Sequence, residues 1–116
     1  MRSSEPYIHL LRDQAGIISR VLHRREGDTM PAIGETDIGL FALSGAAYRD
    51  DLPRYAGVAP LGATTGERNF LPFIPWLTRQ ARVSTFSATH PMEAVGINTM
   101  ADLDRVAAYL GAGEHR

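Results

Sequence analysis

The 116-residue sequence contains no cysteine and no lysine. The first absence removes disulfides, thiolate metal sites and thiol nucleophiles, and it fits a reducing compartment. The second leaves twelve arginines as the strong cations. It removes the side-chain amine that a Schiff base, a lysine nucleophile or a Walker-loop lysine requires. No apolar run approaches the roughly 18 residues of a membrane span. Met-Arg-Ser-Ser-Glu-Pro at the amino terminus has no apolar signal core behind it. The net charge is −1, so no overall basic field recruits nucleic acid or an anionic membrane. A Gly-x-Ser-x-Gly elbow and a Gly-x-Gly-x-x-Gly loop are also missing, which leaves triad and dinucleotide chemistry without an anchor. The expectation is a soluble, cytoplasmic chain with neither nucleic acid nor membrane as partner.

What is present is ordinary for a globular protein: 44% hydrophobic and 22% charged residues. The length suits a single domain over residues 1–116. Residues 7–12 and 17–23 are apolar and partly β-branched, and Asp13-Gln14-Ala15-Gly16 between them is a hairpin signal. Residues 24–34 read as a loop. Asp37 to Leu43 reads as a short buried strand, with Gly39 marking a close approach of backbone or ligand. Ser44 caps a helix to about Ala56, weakened late by Pro53.

Residues 57–66 read as a mobile loop. Thr64 and Glu67 have capping-box spacing ahead of a helix with Phe70, Phe73, Ile74 and Leu77 on one face, bent by Pro75. Val83–Ala88 and Glu93–Ile97 read as strands. Thr99 and Asp102 open a last helix with the stripe Leu103, Val106, Ala107, Leu110, stopped by Gly111. Residues 111–116 form a frayed tail. The order predicts an α/β fold, a mixed sheet with a β-hairpin and flanking helices.

Several positions could carry chemistry, each with a plainer alternative. His9, His23, His90 and His115 lack metal-ligand spacing and read as surface or loop residues. Arg24-Arg25 is either a phosphate grip or solvated charge at a hairpin end. Glu35 and Asp37 can accept hydrogen bonds from sugar hydroxyls or help to hold Mg²⁺, or they are the polar lead-in to a strand. Glu67 is a ligand contact or a helix cap. Asn98, at the carboxyl end of the strand expected over 93–97, is a Mg²⁺ ligand or a helix-flanking residue.

In this order the segments resemble the carboxyl-terminal half of a sugar-1-phosphate nucleotidyltransferase, most like the N-acetylglucosamine-1-phosphate uridylyltransferase type. Ile18-Ser19-Arg20-Val21-Leu22-His23-Arg24-Arg25-Glu26 is similar to the family's strand that ends in an acidic-basic sugar-contact motif. Glu35-Thr36-Asp37-Ile38-Gly39-Leu40-Phe41 is similar to Glu-Ile-Asn-Thr-Gly-Ile. Gly66-Glu67-Arg68-Asn69-Phe70-Leu71 resembles Gly-Glu-Tyr-Tyr-Leu-Thr-Asp. Glu93-Ala94-Val95-Gly96-Ile97-Asn98-Thr99 resembles Glu-x-x-Gly-Val-Asn-Asn.

The resemblance implies a sugar-acceptor half, with Glu35, Asp37, Gly39 and Glu67 lining the site of a sugar-1-phosphate or nucleotide sugar. It implies that Asn98 holds Mg²⁺. His23 stands where the family has an acidic sugar contact, and Asp37 where it has an asparagine. The glycine-rich triphosphate loop and the aspartate that shares the metal belong to a half this sequence does not contain. The metal site is then incomplete and the chain has little or no turnover alone. Three expectations follow from these residues: an enzyme half completed by a nucleotide-binding half, a non-catalytic sugar-phosphate binding module, or an interaction domain that pairs or homodimerises.

Overall fold

A computed structural model describes residues 2–3 and 7–113. Its contacts divide the chain into two compact units, Met1–Thr85 and Phe86–Arg116.

In the first unit, strands β1 (Arg2–Ser3), β2 (Ile8–Arg12), β3 (Ile18–His23) and β4 (Gly34–Glu35) form two antiparallel pairs, β1 with β4 and β2 with β3. The β2–β3 hairpin is the one the sequence announces. Asp13 closes its turn by accepting from the Ala15 and Ile17 amides at 2.9 and 3.0 Å. Gly16 takes φ 80°, a conformation that only glycine enters without strain. The register slips between Leu11 and Arg12, so Arg12 faces Ile18 across a bulge. Leu10 and Ile18 are the hairpin's buried side chains.

The unit's main core lies among helices. Ser44 caps as expected, its hydroxyl accepting from the Ala47 amide at 3.0 Å. The helical path then runs through a π turn, Ala47–Asp51, into α1 (Leu52–Val58). Pro53 explains the π turn. It offers no amide to the carbonyl four residues back, and Leu52 bonds instead to Ala47, five residues back. The helix therefore passes Pro53 and ends at Val58, beyond the expected Ala56. α2 (Phe73–Leu77) is much shorter than the helix expected from Thr64. Its apolar face is nevertheless the expected one. Phe73 is 0% exposed, and it packs with Ala47, Tyr55 and Leu77 while Phe70, Ile74 and Trp76 flank it. Tyr55, Phe73 and Trp76 form an aromatic cluster with centroids 5.5 to 5.9 Å apart. Thr78 Oγ1, 3.2 Å from the Ile18 carbonyl, joins the end of α2 to β3.

The second unit holds a 3₁₀ turn (Pro91–Ala94) and α3 (Met100–Gly113). Thr99 Oγ1 accepts from the Asp102 amide at 3.1 Å, and the Asp102 carboxylate accepts from the Asn98 and Thr99 amides. The capping arrangement at Thr99 and Asp102 is therefore present. His90 stacks on Tyr109 at 4.8 Å. None of the residues described in this unit is buried.

Several expectations are corrected. The α/β character with a hairpin and helices stands, but both strand pairs are antiparallel, so the described residues form no mixed sheet. Asp37–Leu43 is no strand. The Asp37 carboxylate accepts from the Gly39 amide at 2.9 Å and Gly39 turns to φ 78°, which breaks an extended path. Leu40, at 68%, is exposed. Val83–Ala88 is irregular. Within Glu93–Ile97 the chain first coils, because His90 and Glu93 form a capping box around Pro91. Gly111 does not stop α3, which continues to Gly113; the rest of the expected tail, residues 114–116, lies outside the described residues. No helix among the described residues is long and apolar enough to cross a membrane.

Candidate functional site

β4 and the end of β2 that faces the bulge place Glu35 against Arg12. The guanidinium donates to both carboxylate oxygens, from Nε at 2.8 Å and from Nη2 at 2.5 Å. That bidentate hydrogen bond holds the Glu35 carboxyl below the usual carboxylate range, and burial only partly opposes it. Arg12 Nη2 also lies 3.2 Å from Thr85 Oγ1, and its Nη1 donates to the Gly16 carbonyl at 2.7 Å. Glu35 is thus an ionised acceptor with a fixed orientation.

Asp37 and Gly39 form the turn described above, so the close backbone approach inferred at Gly39 is a tight turn; a Cβ there would meet nothing within 4 Å. Glu67 lies on the loop before α2, 3.2 Å from Arg25 Nη2. Its amide donates to Thr65 Oγ1 at 3.1 Å, so the cap expected from Thr64 falls to Thr65 and caps no helix. Asn98 is exposed and belongs to the second unit, where it precedes α3 as an irregular residue and not as the end of a strand.

Magnesium needs several oxygen ligands. Asn98 offers one neutral side-chain oxygen, and the carboxylate beside it, Asp102, is already committed to two amides and held below the usual range, first by the Asn98 amide and then by Thr99. Among the described residues no group of three or more His, Asp or Glu is placed to hold a metal ion.

Two of the four histidines sit differently from the surface positions expected of them. His9 and His23 lie on β2 and β3, half-buried, each with a buried Nδ1 that has no hydrogen-bond partner. His9 packs on Gly34, where a Cβ would overlap its ring, and Tyr7 meets His23 edge-on at 6.0 Å.

The contact that sequence reasoning did not single out is Glu26. It ends a 3₁₀ turn, Arg24–Glu26, that Gly27 closes at φ 90°. Its carboxylate accepts from the amides of Thr64 and Thr65 and from the Thr65 hydroxyl. That hydroxyl, first among the causes, holds Glu26 below the ordinary carboxylate range. The local signal was the Thr-Thr-Gly run, read as the end of a mobile loop with Thr64 as a helix cap. Its partner lies 38 residues away, beyond any spacing rule.

No protein-family model, curated protein or solved structure matches this chain.

Proposed function

We propose that this chain acts by association, as a module completed by a partner surface and not as a free-standing catalyst. The observation that carries this is the second unit taken by itself, which packs none of its own described residues into a core and leaves the apolar Leu103 and Leu110 of α3 exposed within the unit. A 14-residue helix is marginal in water without tertiary packing. Its apolar stripe therefore needs a cover.

The motif order supports one reading of the chemistry of the assembly. The chain would supply the acceptor side of sugar-1-phosphate nucleotidyl transfer, with Glu35, Asp37, Gly39 and Glu67 toward a sugar-1-phosphate or nucleotide sugar. Asn98 would add one oxygen to a Mg²⁺ completed elsewhere. Supporting this, Glu35 is a fixed, ionised hydrogen-bond acceptor suited to hydroxyls. Against a catalytic role for the chain alone, Arg12 engages Glu35, the Gly39 amide engages Asp37, and Arg25 engages Glu67.

Sedimentation equilibrium combined with calorimetric titration of sugar-1-phosphates tests both layers. Self-association or partner capture that Leu103→Ser and Leu110→Ser abolish supports the first layer; a monomer whose α3 is stably folded overturns it. Heat of sugar-1-phosphate binding without turnover supports the second, and turnover by the isolated chain overturns it.

A further inference from the structure

The segment 62–67 is a closed loop in its own right. The Gly62 amide donates to the Glu67 carbonyl at 2.9 Å and the Gly66 amide to the Gly62 carbonyl at 2.9 Å. Gly66 completes the turn at φ 69°, and Thr65 Oγ1 accepts from the Glu67 amide. None of these bonds involves Glu26, so the loop's shape has a source within the loop. The shape gathers donors: the Thr64 and Thr65 amides, each 3.3 Å from a Glu26 oxygen, and the Thr65 hydroxyl. Convergent backbone amides in a turn bind anions because their partial positive charges add at one point. The anion here is the chain's own carboxylate, delivered by the 3₁₀ turn. Gly62 is what lets it in, since a Cβ there would overlap the Glu26 carboxylate. Arg25, adjacent to Glu26, is bonded to Glu67 of the same loop at 3.2 Å and brings a positive charge to the rim.

We propose that loop 62–67 is a binding loop for a phosphate monoester, occupied by Glu26 as an intramolecular plug. A phosphate offers more acceptor oxygens than the carboxylate and more negative charge. It would take the two amides and the hydroxyl while Arg25 turns from Glu67 toward the new anion. Glu26 and Arg25 are neighbours on the 3₁₀ turn, so displacement of the one carboxylate and the swing of the adjacent guanidinium would occur together. This holds whatever chemistry the assembled protein performs.

The test is a titration of the full chain with inorganic phosphate at constant ionic strength, read from the Thr64 and Thr65 amide resonances. Glu26→Ala is expected to bind phosphate about tenfold more tightly than wild type, because a tethered competitor acts at an effective concentration in the millimolar range. Glu26→Gln keeps the shape of the side chain and removes its charge, and covers the case in which alanine loosens the loop; it should show a smaller gain. In wild type, saturating phosphate should bring Glu26 titration back up toward its ordinary value. A gain in either variant at those two amides supports the plug. Equal affinity in wild type and both variants, or shifts confined to the arginines, overturns it.

Discussion

Arg12 holds Glu35 at both carboxylate oxygens, 2.8 Å through Nε and 2.5 Å through Nη2, and so fastens the bulged end of the hairpin to the short β4 strand. Both side chains are about one-third exposed or less, 31% and 28%, which places the pair between a solvated ion pair and a buried one. Replacing Arg12 with glutamine is expected to cost about 1 kcal/mol at neutral pH, the upper end for a partly exposed pair of good geometry. The Glu35 carboxyl is depressed in the folded state, so its contribution is complete above the ordinary carboxylate value of 4.5. It fades as pH falls through the lower folded value. Urea denaturation of wild type and Arg12→Gln should converge on acidification; a gap that persists unchanged once Glu35 is fully protonated in the folded state would show that the pair is not its origin.

Gly39 at φ 78° has open space around its missing Cβ. Gly39→Ala should therefore lose about 1 kcal/mol through backbone strain alone, and Gly39→Asn less, because asparagine tolerates the left-handed region. Denaturation midpoints that do not separate the two substitutions would contradict this.

Phe73 is the one fully buried large side chain among the described residues, and its ring centroid lies 5.9 Å from that of Trp76. Phe73→Ala should cost about 3–5 kcal/mol, a large share of the stability of a small domain. Since Trp76 is the only tryptophan, its fluorescence reports the loss directly. A native-like emission spectrum and an unshifted midpoint would place the core elsewhere.

The hairpin was legible because two apolar, partly β-branched runs, the turn chemistry between them and a glycine at the αL position all agree within 17 residues, Tyr7 to His23. The α2 face was legible for a similar reason, although the helix is short. The regions read as strands over 37–43, 83–88 and 93–97 were not, because an apolar run becomes a strand only where a neighbour pairs with it. At 37–43 the Asp37–Gly39 turn prevails. At 93–97 histidine is an unusual N-cap, yet His90 Nδ1 accepts from the Met92 amide at 3.1 Å and the coil wins. Glu35 could be named from the sequence, but Arg12, 23 residues earlier, could not. The same holds for Glu26 and Thr65, whose meeting is tertiary.

At the start of α3, Asp102 binds the Asn98 and Thr99 amides and its carboxyl is held low, first by the Asn98 amide. A lowered value means that the cap contributes above the ordinary carboxylate range and is lost as pH falls through the folded value. Circular dichroism should therefore show helix content falling on acidification in wild type and falling less in Asp102→Ala, where the cap is already gone. Thr99→Ala should weaken the same helix by about 1 kcal/mol. Identical acid profiles for wild type and Asp102→Ala would remove the cap from the account.

The claim that association completes this chain is tested most directly by hydrogen exchange at the α3 amides of the dilute monomer. A helix that exposes Leu103 and Leu110 in a unit where no described residue is buried should exchange close to the unprotected rate when alone. Protection should grow with chain concentration or with an added partner. Strong protection of residues 104–110 in the dilute monomer, unchanged by concentration, would contradict it.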